Sequence, residues 1–191
     1  MAPRVVDRML TRLGYRLARF RVDRIERGPL RSPLESRRVL IILPEQPAYY
    51  GSAVALARQI ELEPANLTLV WTGEKPELPE ELRDRAFQLS ADDLTLLRLP
   101  GSRVREALLE PYPDVGIDLT TGFSMPQASL VGLSRATYRI GLYAAEAEPF
   151  RDILFRSRSS FESAVSSLRS LLYEFDPPLL PLRPRSTRVF Y

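Results

Sequence analysis

The run from Asp114 to Tyr143, DVGIDLTTGFSMPQASLVGLSRATYRIGLY, constrains the fold more than any other part of this sequence. Val115 to Leu119 is an apolar run of strand length. A Thr-Gly turn follows, then a stretch in which Ala128, Leu130, Val131 and Leu133 supply the apolar side of a helix. A second apolar run spans Tyr138 to Tyr143. Strand, helix and strand at this spacing make a β-α-β unit with parallel strands and a right-handed crossover. Ser124, three residues before Gln127, has capping-box spacing for the helix.

An earlier segment repeats the pattern. Val39 to Leu43 (VLIIL) is a continuous β-branched run, the signature of a strand covered on both faces. A helix is predicted from about Ser52 to Leu62, closed by Pro64-Ala65-Asn66, and Leu67 to Trp71 is the next strand. The two units together predict an α/β fold: a three-layer, Rossmann-like parallel sheet of order 3-2-1-4-5. Phe87 to Leu89 supplies its short third strand, and Asp152 to Phe155 leaves room for a sixth. Pro79-Glu80-Glu81 starts a short helix, with proline and acids in its first turn. Ser90 and Asp93 cap a helical turn through Leu97, and Ser102 to Leu109 is another short helix. Ser159 and Glu162 open a last helix, reaching about Glu174, that buries Phe161, Val165, Leu168 and Leu172.

The organisation predicted is a basic amphipathic helix in 1–27, a linker in 28–37 broken by Gly28-Pro29 and Ser32-Pro33, a Rossmann-like domain in 38–176, and a proline-rich arm in 177–191. The arm reads either as extended chain on the domain or as a tail without fixed structure.

Composition narrows the chemistry. The chain has no cysteine and no histidine, so it holds no thiolate, no Ser-His-Asp or Cys-His arrangement, and neither of the usual zinc ligands. No catalytic residue, cofactor or metal site is predicted. Of the 27 basic residues only Lys75 is a lysine, a coding bias that leaves arginine informative only where it clusters. It clusters in residues 4–20. There Val6, Met9, Leu10, Leu13, Leu17 and Phe20 fall on one helical face, with Arg4, Arg8, Arg12, Arg16 and Arg19 to one side. Arginines four apart repel one another in an isolated helix. Three placements are open: packed on the domain with its arginines in solvent, lying in an anionic membrane interface, or touching nucleic-acid phosphates. No run reaches the roughly 18 apolar residues of a membrane span. The expected location is cytoplasmic, or peripheral at the inner face of the membrane.

In an open parallel sheet, ligands bind where the strand order reverses. That point lies between the first strand and the Asp114 strand, and its loops would bring Tyr49, Tyr50, Ser52, Thr120, Thr121 and Ser124 to one crevice. Two helix N-termini pointing into it would suit a sugar or phosphate group. Those hydroxyls also read as caps and turn formers, and the tyrosine pair as a lid on the core. No phosphate-binding glycine loop is present. Glu146 and Glu148 read as a solvated acidic loop, and Arg135 and Arg139 as surface charges rather than a phosphate clamp.

RVLIIL, GSAVALARQIE, LTLVW and the Asp114–Tyr143 run together resemble the N-terminal, acceptor half of the heptosyltransferase-like glycosyltransferases of family nine. The resemblance covers roughly residues 37–143, and the matching positions are Asp118, Gly122, Ser129, Leu133, Arg139, Ile140 and Gly141. It extends to small stand-alone proteins with the same LSRATYRIG-type segment and a C-terminal helix. What it implies is the fold lineage. Those transferases carry a second half that binds the nucleotide sugar, and their first loop resembles Ser-Leu-Gly-Asp, with the aspartate as base. Here the sequence holds one half, and the loop runs Pro44-Glu45-Gln46-Pro47-Ala48-Tyr49-Tyr50-Gly51, with Glu45 too early to correspond. The expectation is therefore a non-catalytic interaction or ligand-binding relative. The alternatives are a transferase subunit working with a separate nucleotide-sugar-binding chain, and nucleic-acid binding through the arginine stripe.

Overall fold

A computed structural model of the chain describes residues 3–27, 38–60, 66–110, 112–156, 160–174 and 188–190. The strands are β1 (Val39–Ile42), β2 (Leu67–Trp71), β3 (Ala86–Gln88), β4 (Val115–Asp118), β5 (Tyr138–Leu142), β6 (Ile153–Phe155) and β7 (Arg188–Phe190). All pair in parallel, in the order 3-2-1-4-5-6-7. The helices are α1 (Pro3–Val22), α2 (Tyr50–Gln59), α3 (Glu80–Arg83), α4 (Ser102–Leu109), α5 (Met125–Gly132) and α6 (Phe161–Glu174). The expected Rossmann-like order is present, β6 extends it, and β7 adds three residues from the proline-rich arm. The 28–37 linker, Ser159, and residues 175–187 and 191 lie outside the described residues.

Alternation along the strands builds the layers. Val39, Ile41 and Leu43 face one way, with Leu69 and Ile117, against α2 and α6. Leu40, Ile42 and Val70 face the other way, against Val104 and Leu108 of α4 and Leu130 and Val131 of α5. At the N-terminal ends of the central strands, buried Asp114 accepts the Arg38 backbone N–H at 2.8 Å. It thereby clamps β1 to β4 where their pairing begins.

The N-terminal helix lies on the domain, but by a different face from the apolar stripe its periodicity predicts. Ala18 and Val22 are buried, while Met9, Leu13 and Phe20 remain 60%, 55% and 51% exposed. The reason is close approach. A Cβ on Gly14 would stand 2.1 Å from the Leu97 carbonyl oxygen, and one on Gly132 of α5 would stand 3.1 Å from Val22. Small residues on both helices bring the axes together. Tyr15 then meets Phe123 and Phe150 edge-on, with ring centroids 5.8 and 5.6 Å apart.

Two caps are also corrected. Ser90 and Asp93 do form a capping box, but it opens only a 3-10 turn, Ala91–Asp93, and no helix continues through Leu97. The chain instead turns back: Thr95 N–H donates to Leu99 O at 2.8 Å, Arg98 has a φ of 59°, and Leu94 pairs antiparallel with Pro100. This turn carries the Leu97 carbonyl onto Gly14, so tertiary packing overrides the local cap. Ser124 is the N-cap of α5 but its side chain makes no capping bond. Gln127 is fully buried and donates instead to Thr72 Oγ1 at 3.1 Å. At α6 the Ser160 hydroxyl accepts the Ser163 N–H at 3.2 Å.

Candidate functional site

Because β1 pairs with β2 on one side and β4 on the other, the crossovers diverge between β1 and β4. The α2 that follows β1 covers one face with α6, and the α5 that follows β4 covers the other beneath α1. The loops 43–49 and 119–124 leave the C-terminal ends of β1 and β4, the position at which open parallel sheets bind ligands.

Most of the predicted crevice residues are held by the fold. Tyr49 is half-buried and stacks on Phe161, with centroids 4.5 Å apart and planes 21° from parallel. Tyr50 is buried and its hydroxyl donates to Glu74 O at 3.1 Å. Burial, with the Glu74 and Glu45 carboxylates nearby, raises its pKa above the usual phenol value. Thr120 is buried, and both its N–H (3.0 Å) and its hydroxyl (2.7 Å) donate to Asp118 Oδ1. Ser52 and Ser124 are half-buried and Thr121 is exposed. Glu45 and Glu74 are exposed near Tyr50.

Asp118 closes the other way. Its Oδ2 meets the guanidinium of Arg151, which also donates to Ala128 O at 3.0 Å and Phe150 O at 3.1 Å. Both residues are buried. Burial pushes the Arg151 guanidinium down to about 9 against the upward pull of Asp152. Gly141 makes the space: a Cβ there would lie 2.7 Å from Arg151 Nε.

A second ion cluster adjoins it. Arg139, expected on the surface, is buried. It donates to Gly132 O at 2.8 Å and to Asp152 Oδ1 at 3.2 Å. Asp152 also receives the Arg139 N–H at 2.9 Å and both Arg27 terminal nitrogens, at 2.5 and 2.7 Å. Arg27 in turn donates to Thr137 O at 3.1 Å, tying the chain after α1 to the β5 end. Arg135 goes elsewhere: it is exposed, it donates to Glu26 O at 3.3 Å, and its guanidinium lies 4.9 Å from the Tyr112 ring centroid. Arg135 and Arg139 therefore do not form one clamp.

Sequence reading missed Arg27, Arg151 and Asp152. The available signal was an Arg-Asp pair set directly against an apolar strand, but the partners of these residues are 33 and 125 positions away. Glu146 and Glu148 are exposed in a 3-10 turn, Ala145–Phe150. Arg8, Arg12, Arg16 and Arg19 are exposed along α1, and Arg4 lies in its first turn. Among the described residues no acidic cluster of metal-binding form is present, and no helix is long and apolar enough to cross a membrane. No protein-family model matches the sequence, and no curated protein does either.

Proposed function

We propose that this chain is a non-catalytic interaction and ligand-binding protein, a stand-alone relative of a glycosyltransferase acceptor half. The observation that carries the reading is the state of Asp118. A transferase needs a carboxylate able to take the proton from an acceptor hydroxyl. The buried carboxylate at this crevice accepts from Thr120 on one oxygen and from Arg151 on the other. Glu45 and Glu74 stand in solvent near Tyr50. Ser52, Thr121 and Ser124 offer hydroxyls to a neutral sugar-like molecule. The domain would work peripherally at the cytoplasmic face of a membrane or on a protein complex, held there by α1.

The test uses the purified full chain with labelled nucleotide sugars and hydroxyl-bearing acceptors. The expected result is no transfer, together with a change in emission of Trp71 when neutral oligosaccharides are titrated. Trp71 is the only tryptophan, the last residue of β2 and buried in the core on the strand beside β1. Turnover by the chain alone overturns the reading. The resemblance of residues 37–143 to an acceptor half favours one second reading, a transferase subunit completed by another chain. Copurification with a nucleotide-sugar-binding protein, and transfer only by the pair, would support it.

A further inference from the structure

We propose that the outward face of α1 docks on an anionic lipid bilayer, with the helix axis parallel to the membrane plane and the domain held on the cytosolic side of it. The proposal rests on the reading of this chain as an interaction protein and names the surface with which it interacts.

The helix has two faces with separate jobs. The inner face, Gly14, Ala18 and Val22, is buried against the domain and is unavailable to any other partner. The outer face carries Met9, Leu13 and Phe20, each more than half exposed. At 3.6 residues per turn these three lie within about 40° of one another, along roughly 16 Å of helix. Arg16, Arg12, Arg19 and Arg8 follow on one side of that strip, within about 100° of it, and all are exposed. Arg24 stacks over the Phe20 ring, 3.8 Å from its centroid, and adds a charge at the strip's end.

Charge selects the occupant. Among the described residues no carboxylate pairs with Arg8, Arg12, Arg16 or Arg19. Asp7 lies on the opposite side of the helix and pairs with Arg98 at 3.2 Å. Asp23, just past the helix, lies in the field of Arg139. The arginine row thus repels itself until an anionic surface neutralises it. A second copy of this face would set two such rows together with no acid between them. A nucleic acid would satisfy the arginines but leave Met9, Leu13 and Phe20 in water. An anionic bilayer satisfies both parts, apolar side chains below the headgroups and guanidinium groups among the phosphates. The rigid seating of α1 by Gly14 and Tyr15 presents the strip already formed, without a folding step on binding.

The experiment is co-sedimentation of the full chain with phosphatidylcholine vesicles, with and without about one quarter phosphatidylglycerol, and separately with short duplex DNA. The expected result is binding to the anionic vesicles and not to the neutral ones, lost in high salt. Charge reversal of Arg8, Arg12, Arg16 and Arg19 to glutamate should weaken it by on the order of 100-fold or more. The triple variant Met9→Ser, Leu13→Ser and Phe20→Ser should weaken vesicle binding at least tenfold while leaving the melting temperature in place, because all three are exposed. Absence of binding to anionic vesicles overturns the proposal. So does vesicle binding unaffected by the triple variant and matched by duplex DNA, which would identify a general polyanion site. Failure here with no sugar transfer leaves the interaction reading standing on another partner. Vesicle binding by a chain that also turns over a nucleotide sugar would retain the membrane face and remove the interaction reading.

Discussion

Arg151 reaches the carboxylate of Asp118 through a notch left open by Gly141, from one side of the β4–β5 pair to the C-terminal end of β4. The three residues come from separate elements, and two of them belong to the run that resembles the transferase half. The notch gives that run a physical purpose: the glycine admits a guanidinium, and the guanidinium neutralises an aspartate that would otherwise sit charged in the core.

Gly141→Ala should therefore act as a core defect. Its Cβ would come within 2.7 Å of Arg151 Nε and 3.0 Å of Cδ, both buried. Overpacking typically costs about 1–3 kcal/mol. The expected loss in urea unfolding is at the top of that range, since the ion pair is displaced as well. The double variant Gly141→Ala with Arg151→Met should recover part of it. A single variant as stable as the wild type would show that Arg151 does not occupy the notch.

The pair itself can be separated from its burial. Asp118→Asn leaves a buried cation facing a neutral amide and should cost about 3–5 kcal/mol. Replacing both members, Asp118→Asn with Arg151→Met, removes both charges together and keeps an amide oxygen for the Thr120 N–H and hydroxyl. That variant should be more stable than Asp118→Asn alone, within about 2 kcal/mol of the wild type. A loss in the double variant equal to the sum of the two single-variant losses would deny any coupling. The measurement is a double-mutant cycle in urea.

At Gly14 local propensity and tertiary packing pull in opposite directions, which makes the sign of the effect diagnostic. In an isolated helix Gly→Ala gains about 1 kcal/mol. Here the new methyl would meet the backbone carbonyl of Leu97 at 2.1 Å, an atom held by the Thr95–Leu99 turn. Gly14→Ala should destabilise the protein by about 1–3 kcal/mol and lower hydrogen-exchange protection across α1 more than in β1 or β4. Stabilisation would mean that α1 does not seat on that turn.

These contacts also mark what the sequence could convey. The apolar runs of β1, β2, β4 and β5 were legible because each strand is buried on both faces, so hydrophobicity alone identifies it. The Ser90 cap was legible and its consequence was not, because the Leu97 contact with Gly14 is 83 residues distant along the chain and leaves no local trace. The docking face of α1 was hidden for a related reason. Periodicity weights large apolar residues, and here Met9, Leu13 and Phe20 point outward while Gly14, Ala18 and Val22 make the seat, with Tyr15 and Leu17 packed beside it. Of the crevice residues, the tyrosines and Thr120 could be placed by topology, but their hydrogen bonds to Glu74 and Asp118 depend on loop paths that spacing does not encode. Arg139 was misread because arginine is abundant in this chain, and abundance conceals the few that are buried.

Acid should reveal the Asp152 cluster. Burial alone raises this carboxyl, but hydrogen bonds and charge from Arg27 and Arg139 outweigh it, and the net direction is down. A carboxyl whose folded value lies below its unfolded one contributes stability that is complete above the ordinary aspartate value, about 3.9. As pH falls below that, the unfolded chain takes up the proton first, and the contribution disappears as pH passes through the lower folded value. Asp152→Asn should lose about 2–3 kcal/mol at pH 7, where two arginines are left facing an amide. Its melting temperature should then fall less steeply than that of the wild type between about pH 4 and pH 2. Asp93, held low by the Ser90 hydroxyl and N–H, titrates equally in both proteins and cancels in the comparison. Parallel acid limbs for wild type and variant would show that Arg27 and Arg139 do not hold the Asp152 carboxylate in its charged form.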